Sequence, residues 1–364
     1  MQLHQITSYL ENLAPLAYQE DYDNSGLIVG SQNQEIKKAL ISLDCTEAVV
    51  DEAIEKGANL IISHHPIVFK GMKRFNGSSY VERVVMKAIK HDIALYAIHT
   101  NLDSVLGGVN AKICNKLGLV NRSILAPKLN KLKKLVTFCP VEQADEVRQA
   151  LFLAGAGDIG NYSDCSFNVA GTGTFKGNEQ TNPFVGEKGV MQLEPEVRIE
   201  TVFPAFLEGK VVSALLKSHP YEEVAYDIYA LSNSFMTVGS GMIGELEEEM
   251  NTIDFLKMLK QTMLAGVVKY TDEVKPKVKK IAVCGGAGGF LLKDAIREGA
   301  DVFVTSDYKY HEFFDAEGKI VIADIGHFES EQFTSELILE KLSEKFPTFA
   351  VLLSGVKTNP VNYL

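Results

Sequence analysis

Three short segments gather the side chains able to hold a cation or move a proton: Ser63-His64-His65-Pro66, His99-Thr100-Asn101-Leu102-Asp103 and His327-Phe328-Glu329-Ser330-Glu331. Imidazole and carboxylate are the donors that borderline divalent metals accept. His327 and Glu331 lie four residues apart at the start of a predicted helix. They therefore share one face, a turn apart, whereas Glu329 points elsewhere. Pro66 disfavours helical backbone in the residue before it and holds His65 extended. Together the imidazoles of His64, His65 and His327 and the carboxylates of Asp103 and Glu331 form a ligand supply for two adjacent divalent cations.

These segments need elements that carry them to one place. From Lys38 the sequence alternates short apolar runs with amphipathic segments, the pattern of a parallel sheet with crossover helices. Ala39 to Leu43 is a predicted strand ending at Asp44. Thr46 can cap a helix through Lys56, and Gly57 can close it. Ala58 to Ile62 is the next strand, ending in Ser63-His64-His65-Pro66. A helix over about Ser79 to His91 leads to the strand Ile93 to Ile98, which ends at His99. Parallel strands joined by right-handed crossovers finish at the same edge, so Asp44, His64, His65, His99 and Asp103 converge in one crevice.

The last third repeats the scheme. Val278 to Cys284 is a strand and Phe290 to Glu298 a helix closed by Gly299. Asp301 to Thr305 and Lys319 to Ala323 are strands, one helix runs from Gly326 to about Lys345, and Phe349 to Leu353 is a last strand. The turn Gly285 to Gly289 lacks the Gly-Lys-Ser/Thr of a Walker loop and the last glycine of G-x-G-x-x-G, and reads as a tight strand-to-helix turn. The expected fold class is α/β, with two related lobes at residues 1–126 and 236–364. Between them, residues 127–235 read as β-α-β-β-α-β, an inserted ferredoxin-like domain. Its Gly- and Asn-rich stretch Lys176 to Lys188 is a predicted loop.

Composition excludes several classes. The 364 residues carry 36 basic and 47 acidic side chains, a net charge of −11. That charge and the absence of a long basic stretch oppose sequence-independent nucleic-acid binding. No apolar run approaches the roughly 18 residues that span a bilayer, and the first residues lack the order of a signal peptide, so a cytoplasmic location is expected. The five cysteines are never in C-x-x-C spacing and read as reduced core thiols. His219 reads as a packing residue of the insert, and His4 and His91 as helix-surface histidines.

The segments Asp23-Asn24-Ser25-Gly26-Leu27-Ile28-Val29-Gly30, Ser63-His64-His65-Pro66, His99-Thr100-Asn101-Leu102-Asp103, Gly239-Ser240-Gly241-Met242-Ile243-Gly244 and Gly326-His327-Phe328-Glu329-Ser330-Glu331 resemble the GTP cyclohydrolase I type 2 (Nif-three-like) family. Ser218-His219-Pro220-Tyr221-Glu222-Glu223-Val224 resembles the PII/CutA-type insert of its longer members. Tyr22 stands where members often have tryptophan, and the chain contains no tryptophan.

The resemblance implies a dinuclear metal site with ligands at His64, His65, Asp103, His327 and Glu331, with Asp103 and Glu331 as bridging carboxylates. It also implies a toroidal homohexamer. Zinc is the expected metal, with Mn, Fe, Co or Ni also suited to the donors. The expected function is metal-dependent hydrolysis of a nucleotide-like substrate, with water attacking the imidazole carbon of guanine in GTP. His99 or His311 is the expected proton donor. The alternative is a regulatory or metal-handling protein whose PII-like insert senses a ligand.

Overall fold

The computed structural model describes residues 1–364, which divide into two compact units, one of residues 1–126 with 237–364 and one of residues 127–236. In the first unit a five-stranded sheet runs in the order Gly26–Val29, Ala94–Ala97, Leu60–Ser63, Lys38–Ser42, Ala350–Leu353. Gly26–Val29 pairs antiparallel and the other neighbours are parallel. Leu60–Ser63 and Ala94–Ala97 are buried along their whole length, as parallel strands covered on both faces must be. Helices Glu47–Lys56 and Tyr80–Lys90 supply one cover, packing Val49, Val50, Val84 and Val85 on Leu40, Ile61 and Leu95. Each such valine contributes about 1.5–3 kcal/mol by leaving water, which keeps the strands in register.

Local sequence sets the helix ends. Thr46 Oγ1 accepts from the Val49 amide at 3.3 Å, and Gly57 closes the same helix at a φ of 65°. In the sheet Ser42 pairs with Ser63, and Ser63 with Ala97. The residues that follow, Asp44, His64 with His65, and His99, therefore leave the sheet together at its carboxyl edge.

The same unit holds a six-stranded sheet in the order Lys269–Tyr270, Val321–Asp324, Val302–Thr305, Lys277–Val283, Phe235–Asn251, Val120–Lys128. Lys277–Val283, Val302–Thr305 and Val321–Asp324 are parallel neighbours, with antiparallel strands beside them. Thr305 pairs with Asp324, so Asp307 and His327 emerge beyond a common edge.

Two expectations give way to the structure. The last strand, Ala350–Leu353, does not extend the second sheet; it lies parallel to Lys38–Ser42 of the first, with Leu353 opposite Ile41. Lys38–Ser42 is almost wholly buried, so its outer backbone groups need a partner, and periodicity does not say which edge a strand will join. The helix expected from Gly326 to about Lys345 is two, His327–Glu331 and Thr334–Lys345. Between them the Gln332 side chain donates to the Met263 carbonyl at 2.8 Å.

The unit of residues 127–236 is an antiparallel sheet in the order Phe167–Phe175, Gln192–Pro204, Leu132–Pro140, Tyr226–Leu231. Helices Ala144–Leu153 and Glu208–Ser218 share a core with it through Val147, Leu151, Val211, Leu215, Ile199 and Phe203. His219 is buried and bonded at Nε2 to the Phe138 carbonyl. No helix is long and apolar enough to cross a membrane. All five cysteines are free, and all but Cys165 are buried.

Candidate metal centre

At the sheet edges of the first unit the structure brings His64, His65, Asp103, His327 and Glu331 into one cluster. His64 is fully buried, and its Nδ1 donates to the Ile98 carbonyl at 2.8 Å. A carbonyl only accepts, so the proton sits on Nδ1 and Nε2 keeps its lone pair. His65 Nδ1 donates to Asp44 Oδ1 at 2.8 Å, and His327 Nδ1 to Asp307 Oδ2 at 2.7 Å. The Nε2 atoms of His64, His65 and His327 then face Glu331, at 3.8, 3.0 and 3.2 Å from its carboxylate oxygens. Anchoring Nδ1 on a carbonyl or carboxylate and presenting Nε2 is how metal-ligating histidines are oriented.

Glu331 ends the short helix His327–Glu331, one turn beyond His327. The loop after Lys277–Val283 passes close to it. A Cβ on Gly286 would lie 2.5 Å from Glu331 Oε1, and Gly286 has a φ of +64°, so both space and conformation require glycine there. Asp103 closes the short helix Thr100–Asp103. Its Oδ1 lies 3.6 Å from His64 Nε2, and both atoms are buried without a hydrogen-bond partner. Such orphaned polar atoms cost about 1–3 kcal/mol each, and a bound cation between them would satisfy both. The donor set therefore fits a metal. Ligand atoms of His65, His327 and Glu331 lie within 4.8 Å of one another, as do those of His64, Asp103 and Glu331.

The electrostatics are those of a cluster that shares protons. Burial, and then the charge of Glu331, push the Asp103 carboxyl up to about 8. Burial also opposes ionisation of Glu331, but the His327, His64 and His65 rings gathered around it hold it well below the usual carboxylate range. For His65, burial favours the neutral ring, yet the bonds to Asp44 and Glu331 prevail and raise it to about 10. Against the same effect of burial, Glu331 and Asp307 raise His327 to about 9.

His99 is brought to the rim of this cluster, with a ring nitrogen within 4.8 Å of those offered by His64 and His65. Its Nδ1 bonds to Asp23 Oδ1 at 2.8 Å, and Asp23 also accepts from Thr100 and Ser25. Burial opposes the Asp23 charge, but His99 and Thr100 outweigh it and hold the carboxyl low. His311 is not brought to the cluster. It stands exposed on the turn Tyr310–Ala316, against the rings of Tyr310 and Phe314. Glu329 points away from the metal donors, as expected, accepting from Asn359 at 3.0 Å.

Sequence reasoning assigned no role to three of the supporting groups. Asp307, which orients His327, sits at a φ of +61° two residues after the strand Val302–Thr305 ends. Asp23 lies in a quoted motif without a partner being evident. Thr358, in the carboxyl-terminal segment, donates to Asp44 Oδ2 at 2.5 Å and so steadies the residue that orients His65. The cluster opens into a cavity of about 870 Å³, whose walls include the exposed aromatic rings of Tyr22, Phe69, Tyr80 and Phe290.

A sequence model of the family described as Duf34/NIF3 (NGG1p interacting factor 3) matches residues 1–360. The chain is 42% identical to a Halalkalibacterium halodurans protein named GTP cyclohydrolase 1 type 2 homolog, over 99% of this chain and 98% of that one. It is 41% identical to the Bacillus subtilis protein of the same name, with the same coverage. Among solved structures, a Bacillus cereus protein related to NIF3 superposes with a TM-score of 0.86 at 41% identity, covering 100% of this chain and 99% of that one. A Staphylococcus aureus protein gives a TM-score of 0.79 at 30% identity with the same coverage.

Proposed function

Because the chain belongs to the Duf34/NIF3 family, we propose that it is a metal-dependent hydrolase of a nucleotide-like substrate, with two divalent cations held by His64, His65, Asp103, His327 and Glu331. The observation that carries this reading is the position of Glu331. Its Oε1 is the oxygen nearer His64, and its Oε2 faces His65 and His327, so one carboxylate serves two donor groups as a bridging ligand does. Asp103, on the His64 side, is the second carboxylate of the proposed bridge. Bound there, such cations would lower the pKa of a coordinated water to near 7 and polarise the bond under attack. The nitrogen and carboxylate donors suit zinc, and equally Mn, Fe, Co or Ni.

The remaining tasks fall to the chain's own side chains. His99, held through Nδ1 by Asp23, is placed to give or take a proton beside the cluster. Cys45 lines the cavity, but burial and then Asp44 push its thiol up to about 12, so it stays protonated and is no nucleophile. The cavity of about 870 Å³ falls in the range of small-molecule sites, and the rings of Tyr22, Phe69 and Phe290 offer faces on which a planar base stacks. The names of the relatives make GTP the first substrate to test, by ring opening of its guanine with loss of formate.

We also read residues 127–236 as a ferredoxin-like insert of the PII/CutA type, supported by its strand order, and the assembly as a toroidal homohexamer, to be checked by solution mass. The functional test is the initial rate of freshly purified, metal-loaded protein against GTP, with simple phosphate esters as a control and metal content measured throughout. Turnover that is lost and restored with the metal supports the hydrolase. Tight, exchangeable metal without turnover of any nucleotide would replace it with a metal-handling role.

A further inference from the structure

A second cavity lies wholly within residues 127–236 and shares no lining residue with the metal cluster. It encloses about 580 Å³ beside the edge strand Phe167–Phe175. On Gln192–Pro204, Ile199 and Phe203 face the core shared with the helices. Side chains alternate along a strand, so Glu196 and Arg198 face the other way, into this cavity.

Glu196 is only 8% exposed, and its Oε1 accepts from the Tyr221 hydroxyl at 2.8 Å. Burial, reinforced by Glu196, raises the Tyr221 pKa and keeps that hydroxyl a neutral donor. The basic groups around the carboxylate do not neutralise it. Arg198 is committed to Glu200 at 2.8 Å, and Lys176 stands exposed at the mouth. His219 has its pKa lowered by burial and adds no charge. A buried carboxylate left without a counter-charge is unfavourable.

The neighbouring strand makes room for this carboxylate: a Cβ on Gly173 would overlap Glu196 Oε2, so the glycine lets the carboxylate lie against the sheet, at the wall of the cavity that Glu196 lines. The rings of Phe175 and Phe184 stand 6.0 and 6.3 Å from that of Tyr221 and wall the same space. Aromatic faces attract an organic cation, as a carboxylate does.

We propose that this cavity is a binding site for a small organic cation, an ammonium on an apolar body, whose charge meets Glu196 and whose body lies among Phe175, Phe184 and Tyr221. The site is independent of the metal centre and of the reaction proposed there. It is tested on the full chain by titration with phenethylammonium, followed by calorimetry and ligand-observed NMR. Phenylacetate and 2-phenylethanol, which keep the ring but carry the opposite or no charge, are the comparisons.

Phenethylammonium should bind saturably and about tenfold or more tightly than either comparison. Glu196→Gln should remove that preference. Phe184→Ala, at an exposed ring outside the core, should weaken binding with the fold and metal content unchanged, and it decides the matter should Glu196→Gln fold poorly. Equal binding of phenylacetate, unaltered binding by both variants, or no saturable binding of phenethylammonium at millimolar concentration would overturn the proposal.

Discussion

Replacing Glu331 by glutamine removes one negative charge from the centre of the cluster and changes its shape very little. Glu331 is buried at 3% exposure and belongs to two of the three donor groups that could hold a cation. At an effective dielectric near 20, a unit charge 4 Å from an opposite one is worth about 4 kcal/mol. Since about 1.4 kcal/mol is a factor of ten, the substitution should weaken metal binding on the order of 10³-fold. A glutamine oxygen can still accept from one histidine, so the fold should persist, as circular dichroism would show. The assay is metal stoichiometry after dialysis, with affinity from competition against a chelator. Glu329→Gln is the internal control, because Glu329 is equally buried but bonded to Asn359 and absent from the donor groups. Retention of two cations by Glu331→Gln with affinity within a few-fold of the parent, or equal losses from both variants, would refute the reasoning.

Four further outcomes are expected. Asp307→Asn should weaken metal binding about 10–100-fold by the same competition assay, because an outer carboxylate sets the orientation of the His327 ring. Gly286→Ala should lower thermal stability by about 1–2 kcal/mol through its left-handed backbone and also reduce metal content, since its Cβ meets Glu331 Oε1. Deleting residues 127–236 and joining the ends with a flexible linker should leave metal uptake intact, since no residue of that unit lines the metal cavity; loss of uptake in a folded, soluble product would contradict this. The Glu82 carboxyl is held down at about 2, below its ordinary value of 4.5, chiefly by the Asn76 amide and the Ser78 hydroxyl. A depressed carboxylate stabilises the fold above its unfolded pKa and loses that effect as pH falls through the folded one, so Glu82→Gln should flatten the acid limb of a urea-denaturation series between about pH 4.5 and 2.

The parts of the site written locally could be read from the sequence. Apolar runs that end in histidine or aspartate announce strand ends, and the rung shared by Ser42, Ser63 and Ala97 is what makes Asp44, His65 and His99 neighbours. The four-residue spacing of His327 and Glu331 survives because the first helical turn does, even though the helix breaks after Glu331. Contacts closed over long stretches of chain left no local mark. Thr358 reaches Asp44 across 314 positions and Asp23 reaches His99 across 76, and neither pair has a period or a spacing to betray it. The same limit explains the last strand, whose apolar pattern marks it as a strand but does not choose between two sheets. His311 shows the reverse: it is an imidazole that follows the strand Val302–Thr305 in sequence, and the turn Tyr310–Ala316 carries it out to the surface.

The central claim is that two cations share Glu331. Anomalous diffraction from crystals of metal-loaded protein, collected above and below the absorption edge of the added metal, tests it most directly. The expected map has two peaks, one among His65, His327 and Glu331 and the other among His64, Asp103 and Glu331. A single peak that leaves one of these groups empty at saturating metal, or peaks remote from Glu331, would contradict it.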